Sequence, residues 1–225
     1  MRRRERSSPF ASGVVLAAGG SRRLGQPKQL LPYRGVTLLD HVVATARHCS
    51  FDQLLVALGG AEENVRAQVD LVGAEVVVAR DYRGGCSSSI AAAIERLDPR
   101  CEVLVLMLGD QPGVTAAAVR ALLAGRGDAP MAVSRYDDGR GHPLAFGPAL
   151  FDDLSRLHGD KGVWRLMDQL GEAVVEVPVP GPVPLDVDTW ADYESVLAGA
   201  GTGAGRHDWP RAHSALASAR GAPAS

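Results

Sequence analysis

The run Leu16-Ala17-Ala18-Gly19-Gly20-Ser21-Arg22-Arg23-Leu24-Gly25-Gln26-Pro27-Lys28 has the composition of a phosphate-binding loop. Residues without bulk let backbone amides approach a ligand closely, and the cations that follow lie within reach of the charge those amides would cradle. The run is not a Walker A loop, because Gly-Lys-Ser/Thr is missing, and it lacks the GxGxxG spacing of a dinucleotide site. Taken alone, it is equally compatible with a tight turn. Asp110 adds sharper chemistry. It follows the apolar run Val103 to Leu108, where an unpaired carboxylate is costly and a hard oxygen ligand for Mg²⁺ has a use. The structural alternative makes Asp110 the N-cap of a helix near Thr115. His142 has no HxH or HxxxH partner for zinc.

These residues need a frame that brings them together. Short apolar runs without alternation at Val14 to Ala17, Gln53 to Leu58, Glu75 to Ala79, Val103 to Leu108 and Met131 to Ser134 predict strands buried on both faces. Helical spacing lies between them at Leu38 to His48, Glu62 to Val69, Ser88 to Leu97 and Thr115 to Leu123. The alternation predicts a doubly wound, mostly parallel α/β sheet, and open sheets of this kind bind ligands at the carboxyl ends of their strands. Beyond Tyr136 the sequence predicts a loop over Asp137 to Pro143 and a short apolar run from Leu144 to Phe146. Helices follow at Pro148 to Leu157, Lys161 to Leu170 and Thr189 to Leu197, with a strand at Ala173 to Val177. Residues 12–198 thus form one expected domain, with a nucleotide half to about 112 and an acceptor half after it. Residues 1–11 and 199–225 read as disordered, the latter rich in Gly, Ala, Ser and Pro.

Twenty-four basic and 26 acidic residues leave a formal charge of -2, which supplies no general attraction to nucleic acid or anionic membranes. The three cysteines, Cys49, Cys86 and Cys101, fit neither a metal pattern nor a paired disulfide framework and read as free thiols of a reducing cytoplasm. The apolar run Gly13 to Ala18 is too short for a secretory signal.

The glycine-rich string resembles the LAAGxSxRxGxxK signature of nucleotidyltransferases that include molybdenum cofactor cytidylyltransferase, members of the MobA-like group with a Rossmann-like domain. The resemblance extends through Asp81 to Ile90, through Gly109-Asp110-Gln111-Pro112, and on to Leu197. It implies that the backbone from Leu16 through Ala17, Ala18, Gly19 and Gly20 to Ser21 holds phosphates and base, with Arg23 and Lys28 neutralising the triphosphate. Asp81, Gly85, Ser87 and Ser88 belong to its second, Gly/Ser-rich nucleotide segment. Leu24 replaces a methionine common in the signature. Leu185-Asp186-Val187-Asp188-Thr189 is similar to the family's DxDT element, which makes Asp188 the second Mg²⁺ ligand, with Asp186 in reserve. The other reading of Asp188 and Thr189 is a helix cap, compatible with metal binding.

On the acceptor side the resemblance implies Gln111, the Gly141-His142-Pro143 element and Asp160. Trp164 stands where the family pattern has arginine, with Arg165 one residue later, about 100° around a helix. LAAG combined with GDQP implies CTP rather than GTP. The implied reaction is transfer of CMP from CTP to molybdopterin with release of pyrophosphate, followed by transient contact with a molybdenum hydroxylase apoenzyme. No covalent intermediate is needed, so Cys86 is not expected to be a nucleophile. Other readings are transfer to another phosphorylated small molecule, a small-molecule oxidoreductase, and a noncatalytic molybdoenzyme maturation partner.

Overall fold

The computed structural model describes residues 8–21, 23–81 and 85–202. Its centre is a seven-stranded sheet ordered β5-β4-β1-β6-β8-β7-β9. These strands are β1 (Ala11–Ala17), β4 (Gln53–Leu58), β5 (Glu75–Val78), β6 (Val103–Leu108), β7 (Met131–Arg135), β8 (Arg140–Phe146) and β9 (Val174–Pro178). The short strands β2 (Pro32–Tyr33) and β3 (Val36–Thr37) form a separate hairpin. In the sheet β5, β4, β1 and β6 run parallel, and β8 alone is reversed, antiparallel to both β6 and β7. The expected doubly wound, mostly parallel architecture is therefore present.

The continuous apolar runs have the cause expected of them. Val15 and Ala17 of β1, Val56 of β4 and Val105 of β6 enter a core on one face with Leu39, Val43, Val65 and Leu122. Val14, Leu55 and Leu106 enter a second core on the opposite face with Ile90, Leu154, Val163 and Met167. The first face is covered by α1 (Leu38–Arg47), α2 (Glu62–Gln68) and α4 (Ala116–Arg126), the second by α3 (Cys86–Ile94), α5 (Phe151–Ser155) and α6 (Gly162–Leu170). Every position of β1 is buried, so neither side has a place for a polar alternation.

Several boundaries differ from expectation: α3 runs Cys86–Ile94 rather than Ser88 to Leu97, the helix expected from Pro148 to Leu157 opens with a 3-10 turn and ends at Ser155, and three further differences have a visible cause. β1 begins at Ala11, inside the expected disordered N-terminus, because the amide of Ala11 donates to Asp52 and its neighbours pair with β4 and β6. The loop expected over Asp137 to Pro143 is a tight connection, with β8 starting at Arg140. Pairing with β7 overrides the glycines and the proline of that segment, helped by a register shift between Val133 and Ser134. The last helix, α7 (Trp190–Thr202), continues past the Leu197 end expected for it. The expectations for residues 1–7 and 203–225 lie outside the described residues. Among the described residues no helix is long and apolar enough to cross a membrane.

Candidate active site

Parallel pairing of β1 with β6, with Leu16 opposite Leu108, sets the chain after each strand side by side at one sheet edge. Gly109 permits the approach. Its amide donates to the carbonyl of Leu16 at 2.9 Å, and a Cβ there would lie 2.9 Å from that of Ala17 and 3.1 Å from Leu39 Cδ1. The glycine-rich segment leaves β1 and the Asp110 segment leaves β6 from these adjacent ends.

The loop is held from inside. Ser21 takes a left-handed φ of 47°, and its Oγ accepts the Lys28 amide at 2.9 Å. Gln29 is buried, and its Nε2 donates to the carbonyls of Ala17 at 2.6 Å and Gly19 at 3.2 Å. This clamp was missed in reading the sequence, although a glutamine directly before the apolar stretch Leu30-Leu31-Pro32 was a visible sign of a buried polar role. Beside the loop lies a cleft of about 370 Å³ lined by Gly19, Gly20, Ser21, Gln26, Pro27 and the Gly60-Ala61 turn, among others. Gly60 and Ala61 were likewise not foreseen.

Four charged groups converge next to it. The Lys28 ammonium donates to Asp110 Oδ2 and, at 2.8 Å, to Asp188 Oδ1, while Arg23 Nη2 donates to Asp188 Oδ2 at 2.6 Å. Lys28 and Asp110 are largely buried, at 12% and 15% side-chain exposure, and Asp188 is more open at 45%. Burial works against the Lys28 charge, but Asp110 and Asp188 outweigh it and raise its pKa. The Lys28 hydrogen bond, the Lys28 charge and Arg23 in turn hold Asp188 below the usual carboxylate range. Asp186 is pushed up to about 6, first by burial and then by the charge of Asp110. The backbone joins the two acidic segments, since Val187 N–H donates to the Asp110 carbonyl at 3.1 Å.

The alternative roles resolve in the hydrogen bonds. The helix after Asp110 is capped by Thr115, whose Oγ1 accepts the Ala118 amide at 3.1 Å, so Asp110 is not its cap. The start of α7 is satisfied by Thr189 and Asp192: Asp192 Oδ2 accepts from Thr189 N at 2.7 Å, and Asp192 N donates to Thr189 Oγ1 at 3.2 Å. The Asp188 carboxylate is therefore left for the cations.

Other expected residues are placed differently. The Asp160 carboxylate accepts the Cys86 amide at 2.9 Å and so caps α3, which has no side-chain cap of its own. This gives Asp160 a structural role beside the acceptor role that the resemblance implies. Gly85 has φ 98°, and a Cβ there would sit 2.6 Å from Asp160 Oδ1. Ser87 is buried, and Ser88 Oγ donates to the Gly85 carbonyl at 2.8 Å. Asp81 is exposed, and Arg22 and Tyr82–Gly84 lie outside the described residues. Gln111 is buried and donates to the Pro184 carbonyl at 3.1 Å, tying the Asp110 segment to the chain that leads into Asp186. Gly141 is closed in by Val183 and Tyr136, and Pro143 is buried. Half-buried His142 meets Trp164 edge to face at a centroid distance of 5.9 Å, and burial lowers its pKa to about 4, leaving a neutral ring near pH 7. Burial, with Asp160 and Asp110 adding to it, raises the Cys86 thiol to about 11, which suits an inert side chain.

The donor chemistry fits a hard divalent cation. Asp110 and Asp188 already meet on one point of positive charge, the Lys28 ammonium. Among the described residues no three His, Cys, Asp or Glu side chains gather closely enough to enclose a metal. Two carboxylates completed by phosphate oxygens and water are the usual environment of Mg²⁺ at nucleotide sites.

Residues 13–174 match the MobA-like NTP transferase domain. The chain belongs to that family. Nicotine blue oxidoreductase of Paenarthrobacter nicotinovorans is 32% identical over 68% of this chain and 79% of its own length. The crystal structure of a homologue of Mycobacterium tuberculosis Rv0371c from Mycobacterium sp. strain JC1 is 53% identical, with a TM-score of 0.81 over 85% of this chain and 96% of that one. Rv0371c of M. tuberculosis H37Rv in complex with manganese is 47% identical, with a TM-score of 0.76 over 84% and 98%. The chain thus has the nucleotidyltransferase fold of the MobA-like family, and a manganese ion in the Rv0371c structure is consistent with divalent metal use in that family.

Proposed function

We propose that this MobA-like protein transfers CMP from CTP to the phosphate of molybdopterin and releases pyrophosphate. The observation that carries nucleotidyl transfer is the convergence of Arg23, Lys28, Asp110 and Asp188 beside the glycine-rich cleft. Amides of Ala18 to Ser21 face the phosphates, and Lys28 and Arg23 offset the charge that develops on the leaving oxygen. Asp110 and Asp188 would hold Mg²⁺, which supplies further neutralisation of the triphosphate when bound. An acceptor phosphate oxygen forms a bond to the α-phosphorus, the α–β bridging bond breaks, and its electron pair leaves with pyrophosphate. A phosphate monoester, with a second pKa of ~6, is mostly a dianion at neutral pH, so no residue need remove a proton from it.

The choice of CTP rests on Ala18 within Leu-Ala-Ala-Gly and on Gln111-Pro112 after Asp110. The choice of molybdopterin rests on resemblance to the cytidylyltransferases, and the neutral His142–Trp164 pair would give that side of the site an aromatic wall where the family pattern has an arginine.

The test is pyrophosphate release with Mg²⁺, each of CTP, GTP and ATP, and molybdopterin as acceptor. CTP-specific release that requires molybdopterin supports the whole reading. Release with CTP and a different phosphorylated acceptor keeps the reaction class and rejects molybdopterin. A second reading, reduction of a heteroaromatic pigment, is favoured by the likeness to nicotine blue oxidoreductase. Pigment-dependent oxidation of a reduced nicotinamide cofactor, without nucleotidyl transfer, would establish it instead.

A further inference from the structure

We infer that Lys28 and Arg23 form an electrostatic latch on the metal-holding carboxylates, so that the free protein binds a divalent cation only weakly until a nucleoside triphosphate draws the latch away. The inference rests on the reading of Asp110 and Asp188 as metal ligands. In the structure both oxygens of Asp188 and one of Asp110 already accept hydrogen bonds from the chain's own cations. The ammonium and the guanidinium cancel the charge of Asp110 and Asp188, so a divalent ion approaching the pair meets far less attraction than two bare carboxylates would exert, Asp186 beside them supplying what negative charge remains. Lys28 stands between the two carboxylates and is largely buried, so its charge is only weakly screened by water.

A triphosphate changes the balance. Lys28 follows the phosphate-binding loop directly, with its Cε 3.4 Å from where a Cβ on Gly19 would sit, so its stem already runs along the loop backbone. The loop fixes the Lys28 backbone through Ser21 but leaves the side chain able to turn from carboxylate to phosphate. Arg23 is 66% exposed and equally able to move. When both cations turn to phosphate, Asp110 and Asp188 regain their charge toward the same point, and the phosphates add oxygens to it. Nucleotide and metal then strengthen each other's binding by the same factor, as linkage requires. Free protein then holds metal only weakly.

The test is direct Mn²⁺ titration of the full chain by electron paramagnetic resonance, correcting for Mn²⁺ bound by nucleotide in solution. A CTP analogue that cannot be cleaved between the α- and β-phosphates prevents turnover. Wild-type protein is expected to bind Mn²⁺ weakly alone and on the order of tenfold or more tightly with the analogue. Lys28→Met should tighten nucleotide-free Mn²⁺ binding by a similar factor and shrink the gain from the analogue. Arg23→Gln, at an exposed position where folding is not at risk, should move in the same direction by less. Equal nucleotide-free affinity of wild type and both variants overturns the latch, while weakening by Asp110→Asn in the same assay keeps the metal site. If Asp110→Asn changes nothing even with the analogue, the metal site falls and the latch falls with it.

Discussion

At the scale of single residues, the two aspartates show why a carboxylate's role depends on who else can do the local work. Thr115 and Asp192 take over the helix starts that Asp110 and Asp188 would otherwise cap, leaving both free to face Lys28. Asp110→Asn is therefore expected to lower kcat for pyrophosphate release by about 10²-fold or more. It should leave the thermal midpoint near that of wild type, because Asp188 still pairs Lys28. Near-normal turnover by that variant would remove Asp110 from the mechanism. His142 predicts a pH effect. Its pKa of about 4 in the fold is below the unfolded value of about 6.5, so the unfolded chain binds more protons between those limits. Its contribution to stability is fully present above about pH 6.5, declines as pH falls toward 4 and is flat below. Urea midpoints at pH 7 and pH 5 should differ more for wild type than for His142→Gln, and equal differences would dismiss this account.

At the scale of elements, the strands with continuous apolar sequence were legible, most closely at β4 and β6 and less so at the start of β1, which lies three residues earlier than its apolar run. β4 and β6 coincide with their expected spans because burial on both faces admits no other pattern. β8 was only half visible, since Gly141, His142 and Pro143 carry loop signals that pairing with β7 overrides. The start of α3 was less legible still. Its cap comes from Asp160, 74 residues later than Cys86, and no local motif can announce such a partner. Asp160→Ala should destabilise the fold by about 0.5–2 kcal/mol, and Asp160→Asn, which keeps an oxygen at that place, should recover most of it. Equilibrium denaturation measures both. A raised KM for the acceptor with unchanged stability would instead return Asp160 to the acceptor side.

At the scale of the whole molecule, the site is closed by a third, small core separate from the two faces of the sheet. Leu24, Leu31, Tyr33 and Leu38 from the segment after the glycine-rich loop pack with Val187 and Tyr193 from the chain around Asp188. Tyr193 also donates its hydroxyl to the Pro32 carbonyl. This packing presses the Lys28 side of the site onto the Asp188 side across 160 residues of sequence. Tyr193→Phe should remove about 1 kcal/mol and lower Tm by about 2–4 °C. Mn²⁺ affinity in the presence of nucleotide should fall several-fold as Asp188 loses its register against Asp110. A drop in Tm with unchanged metal affinity would show that the small core supports the fold without setting the site.

The sequence by itself determined the sheet and helix alternation and the family, and it marked Arg23, Lys28, Asp110 and Asp188 as candidates that the structure brings together. Apolar runs, a loop of small residues and short acidic motifs are all local signals, written within a few residues of the chain. Only the tertiary structure decided that Lys28 bridges the two aspartates, that Gln29 clamps the loop from beneath, and that Asp160 caps the start of α3. Each of those is a contact between segments far apart in the chain or a competition for one hydrogen-bonding group. Such contacts form only when parallel β1 and β6 end side by side and α7 docks back across them.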